Sequence, residues 1–252
     1  MGLPAIVCPT HGRAGKVKAL KLFGPDLILV VEEGEQEELY REAYPNAKFA
    51  IHPKMRGLSP KRQWIYEEFG DVFMTDDDVV YIHDLSKPSG EEVITKEDPA
   101  LAREIIYRAH ESAEAIGAYA YSFTNFSNPL AYSGHSPFRL SGGCITGHAL
   151  GLRAGSKLWF PKEGMHGTED MWVSALNAHY HRIAWIEERY SFVPVGTFVS
   201  TEGQAQYRTM NVLRDNFHAM QEAFGEDVIK KKQDTSKARS AFEWSITLDI
   251  PW

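Results

Sequence analysis

The first third of the chain alternates short apolar runs with segments of helical periodicity. The apolar runs have the length of strands that a sheet buries on both faces, and they lie at residues 5–8, 27–31, 49–51 and 71–74. The helical patterns between them lie at residues 14–22, 35–43 and 60–69, and the last begins with a proline, a favoured first helical residue. This order predicts an α/β domain with a mainly parallel sheet.

The remainder of the chain has fewer and more widely spaced elements. The clearest helical pattern covers residues 98–116, and further helices are predicted from residue 168 to about residue 176 and at residues 209–224. Strands are predicted at residues 119–123, 143–150 and 183–186. With 252 residues, the chain has the length of one large domain, and we expect a single domain over residues 1–252.

The composition is that of a globular protein, with 43% hydrophobic and 12% aromatic residues. No apolar run approaches the roughly 18 residues of a membrane span. The N-terminus runs into the first strand without a charged segment ahead of an apolar one, so we expect a cytoplasmic protein with no membrane partner. Cys8 and Cys144 form no metal or redox motif, and nothing in the sequence specifies an oligomeric state.

The charge pattern bears on nucleic-acid binding. A formal net charge of −7 argues against a surface built mainly to grip nucleic acid, but it leaves room for a local basic groove. Basic residues cluster in two segments, one with Lys54, Arg56, Lys61 and Arg62, the other with Lys230, Lys231, Lys232, Lys237 and Arg239. A solvated surface is the simpler interpretation of both.

The predicted strand at residues 71–74 leads almost directly into three acids, Asp76, Asp77 and Asp78. Ligands of open α/β sheets bind outside the carboxyl ends of the strands. Asp76 and Asp78 project to the same side of an extended chain, and two such carboxylates suit Mg²⁺ or Mn²⁺, which bridge diphosphate oxygens. Because three adjacent acids repel one another, we expect a compensating cation nearby. An acidic solvated turn is the simpler alternative.

The same acids fit a second class of enzyme. Asp76-x-Asp78 suits the haloacid-dehalogenase-like phosphatases, in which Asp76 would be the nucleophile and Asp78 the acid or base. Those enzymes normally carry the motif on the first strand, whereas some 70 residues of α/β pattern precede it in this chain. The later acidic pair, Glu169-Asp170, opens a predicted helix instead of ending a strand. Both features count against a phosphatase.

The ordered set of features resembles the glycosyltransferases of the GT-A fold, from about residue 6 to residue 185. The resemblance implies a Rossmann-like nucleotide-binding half with a mixed, mainly parallel sheet at about residues 1–95. An acceptor-binding half would cover about residues 96–205, followed by a C-terminal helix and basic tail at residues 206–252. It also implies transfer of a hexose from a UDP-sugar, with Mn²⁺ or Mg²⁺ held by Asp76 and Asp78.

The resemblance further implies which residues hold the donor. They come from the first turn, the end of the second strand, the third helix, the acidic cluster and a glycine loop: Pro9, Thr10, Arg13, Glu32, Lys61, Arg62, Asp76, Asp77, Gly142 and Gly143. A further metal ligand would come from the C-terminal segment, with His218 ahead of His179 and His181. The simpler alternatives are a tight turn for the glycines and an ordinary helix-surface residue for His218.

In inverting GT-A enzymes an acidic pair at a helix start often faces the acceptor, and here that pair is Glu169-Asp170. One carboxylate would remove the proton of the acceptor hydroxyl, and we expect Asp170 to do so ahead of Glu169. Favourable interaction of acids with the helix dipole, worth roughly 0.3–1 kcal/mol, is the purely structural alternative.

Within the GT-A group the chain is most similar to compact phage enzymes associated with TET/JBP-type dioxygenases. The similarity lies in residues 9–13, 57–64, 74–78 and 167–172. It implies UDP-glucose or a close relative as donor and a 5-hydroxymethylpyrimidine of phage DNA, such as hydroxymethylcytosine, as acceptor. Such a base must leave the stack. Aromatic residues could stack on it, or belong to the core: Tyr119, Tyr121, Phe123, Phe126, Tyr132 and Phe138.

Three hypotheses follow from the sequence. The first is the metal-dependent glycosyltransferase, the second a phosphatase with Asp76 as nucleophile, and the third a non-catalytic nucleotide-binding module.

Overall fold

Four parallel strands form the first half of the main sheet. The computed structural model describes residues 2–88, 91, 93–94, 98–141, 145–195, 209–231 and 244–250. The strands are β1 (Ala5–Pro9), β2 (Ile28–Glu32), β3 (Lys48–His52) and β4 (Val72–Thr75), in the spatial order β3-β2-β1-β4. The chain therefore leaves β1 for β2 on one side and returns to place β4 on the other. The crevice between β1 and β4 is a topological switch point, where open α/β sheets bind ligands.

Three helices connect these strands, as the apolar periodicity predicts. They are α1 (Ala19–Phe23), α2 (Glu35–Ala43) and α3 (Leu58–Phe69). The first is shorter than the predicted 14–22 because the chain takes a positive φ at Gly12 and again at Gly15, in a turn that precedes the helix.

The second half extends the sheet to eight strands within the described residues. Beyond β4 come β9 (Ala149–Leu152), β7 (Ala120–Phe123), β10 (Ala184–Glu187) and β8 (Phe138–Ser141). β9 is antiparallel to both its neighbours, β10 is parallel to β7, and β8 closes the edge antiparallel to β10. The sheet is mixed and mostly parallel, so the predicted fold class, an α/β fold of the Rossmann-like GT-A type, is confirmed.

Helices α4 (Pro99–Ala115), α5 (Glu169–Tyr180) and α6 (Met210–Phe224) lie close to their predicted positions. A second sheet follows the acidic cluster directly, with β5 (Val79–Asp84) between β11 (Tyr190–Pro194) and β6 (Val93–Ile94). β12 (Ile229–Lys231) pairs with β13 (Ile246–Leu248). No helix in the described part of the chain combines the length and the apolarity needed to cross a bilayer.

The main sheet separates two apolar layers, and its strands supply them alternately. Along β1, Ile6 and Cys8 enter the layer that also contains helices α1 and α4, whereas Val7 enters the layer that contains Ile65 of α3 and Val173 of α5. The sheet is buried on both faces, as the continuous apolar runs predict. Helices α3 and α5 thus lie on the same side of the sheet, and both begin near the switch point.

Candidate active site

The acidic cluster lies at the switch point, immediately beyond the carboxyl end of β4. Asp76 keeps 35% of its side chain exposed, whereas Asp78 is buried, with 7% exposed, as the chain turns into β5. The loop after β1 lies beside it, since β1 and β4 are hydrogen-bonded parallel neighbours. The acids therefore occupy the position that the sequence predicts for ligand binding.

Asp77 points towards the loop after β1. The Thr10 hydroxyl donates a 2.7 Å hydrogen bond to Oδ2 of Asp77 and also lies 2.7 Å from the hydroxyl of Tyr40. The Tyr40 hydroxyl in turn accepts the backbone N–H of Arg13 at 2.8 Å. Burial raises the pKa of Asp77 to about 6, although the Thr10 hydrogen bond and the charge of Arg13 oppose the shift. Asp77 therefore connects the acidic turn to the loop after β1.

Arg62 supplies a cation beside the acids and is itself buried, with 1% of its side chain exposed. Its Nη2 donates to the carbonyl of Gly147 at 2.7 Å and to Oδ1 of Asp76 at 3.3 Å. Its Nε lies 3.8 Å from Oε1 of Glu169, at the start of α5. One guanidinium thus joins the acidic turn, the loop before β9 and the first turn of α5. Its positive charge offsets part of the negative charge of the acidic turn.

The acidic pair at the start of α5 has two different environments. Glu169 is 5% exposed, and burial raises its pKa while the charge of Arg62 opposes the shift. Asp170 is half-buried, and its Oδ1 accepts the backbone N–H of Met171 at 2.9 Å. Its other oxygen, Oδ2, would lie 3.4 Å from a Cβ placed on Gly147. The glycine therefore leaves open a space that Asp170 and Arg62 both border.

A second group of ionisable residues lies at the carboxyl ends of the outer strands. Glu32 ends β2, His52 ends β3, and Lys61 reaches them from α3. Burial lowers the pKa of Lys61, and the charge of Glu32 opposes that shift. Burial also lowers the pKa of His11 and of His52. The charge of Lys61 lowers both pKa values further, and the charge of Glu32 opposes the shift. Pro9 and Thr10, both buried, lie between this group and the acidic turn.

Comparison with known protein families agrees with this geometry. The family model of the TET-associated glycosyltransferases matches residues 4–226, which include every strand of the main sheet and both acidic segments. The chain belongs to this family. A search of the curated proteins returned no significant match.

Membership of the TET-associated glycosyltransferase family confirms the resemblance drawn from the sequence, and it confirms that the protein is an enzyme of the glycosyltransferase class. The phosphatase and the non-catalytic nucleotide-binding module are therefore set aside. A glycosyltransferase needs a sugar donor and an acceptor, and in this chain two acidic segments meet across one buried arginine.

Not every predicted site residue of this glycosyltransferase joins that cluster. Gly142 and Gly143 lie outside the described residues. His218 is exposed on α6, where its ring lies 5.5 Å from the rings of Phe217 and Trp244. Within the described ranges, no three His, Cys, Asp or Glu side chains are arranged to hold a metal ion, so His218 does not complete a set with Asp76 and Asp78.

The aromatic residues considered for base stacking divide between core and surface. Tyr121 and Phe123 are buried in the core, whereas Phe126 is 66% exposed and Phe138 stacks on Trp185 at the sheet edge. The burial of Tyr121 also explains Gly151, because an added Cβ there would lie 2.0 Å from the Tyr121 ring.

The structure adds two features that the sequence interpretation missed. Arg62 turns inward and holds protein groups, although it was expected to contact the nucleotide. A signal for this exists, since Ser59, Arg62 and Ile65 recur every three residues and all three are buried. The second feature is the Gly147 carbonyl, which accepts a hydrogen bond from Arg62. The sequence gives no signal for it, because every residue has a backbone carbonyl.

Proposed function

We propose that this TET-associated glycosyltransferase transfers a hexose, glucose in the first instance, from a UDP-sugar to the hydroxyl group of a 5-hydroxymethylpyrimidine in DNA. The observation that carries the proposal is the junction at Arg62. It brings the acids suited to a donor diphosphate next to the acids suited to an acceptor hydroxyl. Attack on an anomeric carbon requires these two groups at one place.

The donor would lie along the carboxyl ends of β1, β2 and β4. Glu32 and Lys61 would meet the base and ribose, and Thr10 and Arg13, in the loop after β1, would meet the part of the donor between them and the acidic turn. Asp76 and Asp78 would hold Mn²⁺ or Mg²⁺, because hard divalent cations take carboxylate oxygens together with substrate phosphates and waters. The bound ion would offset the negative charge that develops on the departing diphosphate.

The two carboxyl groups differ enough to be given different roles. Glu169 is enclosed beside Arg62, with 5% of it exposed, which favours a structural part in orienting the guanidinium. Asp170 is more exposed and borders the open space at Gly147, so it would act as general base. As the acceptor oxygen bonds to the anomeric carbon, Asp170 takes its proton, and UDP leaves with the electrons of the broken bond. A single displacement of this kind inverts the anomeric centre.

The donor half of the proposal is tested by a melting-temperature screen of nucleotide sugars with and without Mn²⁺. A bound donor raises stability by RT ln(1 + [L]/Kd). We expect UDP-glucose with Mn²⁺ to give the largest shift and Asp78→Ala to abolish it, whereas exposed Asp227→Ala should leave it unchanged. Equal shifts in Asp78→Ala and the wild type would contradict the assignment of the donor site.

The acceptor half is tested by the rate of UDP release from UDP-glucose. Adding an oligonucleotide that contains hydroxymethylcytosine should raise this rate, and the same oligonucleotide with unmodified cytosine should not. Equal rates of UDP release with the modified and the unmodified oligonucleotide would contradict this acceptor. They would not contradict the assignment of the protein as a glycosyltransferase.

A further inference from the structure

A groove of about 620 Å³ lies on the outer face of α3. The inner face of this helix carries Lys61 and Arg62 into the candidate active site. The outer face carries Gln63 and Trp64 and forms one wall of the groove. The basic segment that looked like one cluster in sequence is therefore divided between two sites. Lys54 and Arg56 line the groove, whereas Lys61 and Arg62 are buried on the other side of the helix.

The groove has walls that are fixed to each other. The loop at residues 160–166 forms the wall opposite α3. The hydroxyl of Ser59 donates to the carbonyl of Pro161 at 2.6 Å, and the backbone N–H of Phe160 donates to Oε1 of Gln63 at 2.7 Å. These two hydrogen bonds hold the loop at a set distance from the helix. The groove is thus a formed feature of the fold and needs no rearrangement to accept a ligand.

Three cations face the groove, with Lys54 and Arg56 on the segment after β3 and Lys162 on the opposite loop. All three are exposed, and none forms an ion pair with an acid of the described residues. Two acids, Glu67 and Glu163, also line the groove, and Glu67 already accepts a hydrogen bond from Gln63 at 2.8 Å. Cations free on both walls suit a ligand with repeated negative charge.

Trp64 lines the same groove as these cations and is half-buried. The ring of His52 lies 5.9 Å from it at a tilt, which supports the indole from the protein side. An aromatic side chain set between cations is the arrangement with which proteins hold single-stranded nucleic acid, since bases stack on the ring and phosphates meet the cations. An acidic peptide would use the cations and leave the indole without a planar partner.

The groove leads towards the acidic pair of the active site. His166 lines the groove and precedes Glu169 by three residues. Its ring lies against Gly57, where an added Cβ would be 2.3 Å from the imidazole, so the loop and the start of α3 are in close contact. The lining of the groove therefore ends three residues before the start of α5.

We propose that this groove binds the sugar–phosphate backbone of a single strand of nucleic acid next to the nucleotide that is modified, with Trp64 stacking on an unpaired base. Only the statement that this strand is the acceptor rests on the proposed function. The cations, the aromatic ring and the fixed walls of the groove suit a single strand whether or not that strand is the acceptor.

The test is fluorescence anisotropy of the full chain with a labelled, unmodified thymidine oligonucleotide of about twelve nucleotides, within the usual site size of such proteins. Lys54→Gln, Arg56→Gln and Lys162→Gln should each weaken binding and reduce the slope of log affinity against log salt by about 0.7. Trp64→Ala should weaken binding about 5- to 100-fold with the slope unchanged, and Trp64→Phe should restore most of it. Melting temperatures of all variants confirm that they fold.

The matched control is Lys21→Gln, since Lys21 is exposed on α1, on the other side of the sheet, and should leave binding unchanged. Groove variants that bind like the wild type, or that lose no more than Lys21→Gln, would overturn the proposal. So would equal affinity for a polyglutamate peptide, or tighter binding of the duplex form of the same sequence.

Failure of the groove and failure of the proposed function give different results. If the enzyme releases UDP from UDP-glucose but groove variants keep full oligonucleotide affinity, the groove proposal is wrong and the donor assignment stands. If the groove variants lose the oligonucleotide while no nucleotide sugar is turned over by the wild type, the groove stands and the proposed function is wrong.

Discussion

Nη2 of Arg62 lies 3.3 Å from Oδ1 of Asp76, although the arginine side chain is almost completely buried and the aspartate is one-third exposed. A buried guanidinium is costly unless nearby acids offset its charge. Here Asp76 and Glu169 offset the charge and the Gly147 carbonyl accepts from Nη2, whereas Nε and Nη1 have no hydrogen-bond partner among the described residues. The arginine thus joins both acidic segments of the site.

The first prediction concerns stability. Arg62→Met should lower the free energy of unfolding by about 3 kcal/mol, because it leaves the enclosed Glu169 without its cation. Urea unfolding measures the change. The control is Arg108→Met, which removes an exposed pair within α4 and should cost at most about 0.5 kcal/mol. Equal losses in the two variants would show that Arg62 does not hold the site together.

The second prediction separates the two acids of α5. Asp170→Asn should lower kcat about 10²- to 10⁴-fold with little change in the KM for the sugar donor, because it removes the general base. Glu169→Gln should keep more of kcat and lower the melting temperature instead, since its carboxyl is enclosed against Arg62. Steady-state UDP release gives both constants. The opposite ranking of the two kcat values would assign the base to Glu169.

The third prediction concerns the space at Gly147. A Cβ there would lie 3.3 Å from Nη2 of Arg62 and 3.4 Å from Oδ2 of Asp170, so Gly147→Ala must displace one of them by a few tenths of an ångström. We expect kcat to fall about tenfold, because small misplacements of reacting groups are costly. Gly134→Ala is the control, as an added Cβ there meets nothing within 4 Å. Unchanged turnover in Gly147→Ala would mean that the site does not use this space.

The fourth prediction follows from the raised pKa of Asp77. Its pKa is about 6 in the folded protein against an ordinary value of 3.8, so between these pH values the folded state binds the proton more tightly than the unfolded chain. The stability that this group contributes is present below pH 3.8 and is lost as the pH rises through 6.

Replacing Asp77 by Asn should therefore stabilise the protein relative to the wild type at pH 7, by up to about 2–3 kcal/mol, and by much less at pH 4. The side-chain oxygen of Asn still accepts the Thr10 hydroxyl. Urea unfolding in metal-free buffer at both pH values measures the difference, with the exposed Asp227→Asn as control. A difference between Asp77→Asn and the wild type that does not change with pH would contradict this description of Asp77.

The sequence predicted the fold well because the information lies in local patterns. The continuous apolar runs of β1, β2 and β4 have no polar face and can only be buried on both sides, which requires helices on both faces of a parallel sheet. The position of Asp76 and Asp78 followed from the end of β4. The β5 strand directly after them was not predicted, because its apolar run Val79-Val80-Tyr81-Ile82 follows the acids with no Gly or Pro between to indicate a new element.

The site was harder to predict because it depends on which way each side chain turns. Lys54, Arg56, Lys61 and Arg62 are close in sequence, yet α3 sends the last two inward and leaves the first two on a groove. His218 has a suitable residue type for a metal ligand, but the apolar face of α6, with Phe217 and Met220, packs into the core and turns His218 outward. In both cases the residue type suggested a role, and the face of the helix on which the residue lies determined whether its side chain reaches the site.

Hexose transfer to DNA is tested most directly by the intact mass of a single-stranded oligonucleotide containing one hydroxymethylcytosine, after incubation with the enzyme, UDP-glucose and Mn²⁺. We expect the gain of one hexose unit with the wild type, a much slower gain with Asp170→Asn, and no gain with Asp78→Ala or without the hydroxymethyl group. An unchanged mass with the wild type under conditions where UDP is released, or hexose transfer that persists in Asp78→Ala, would contradict the proposed function.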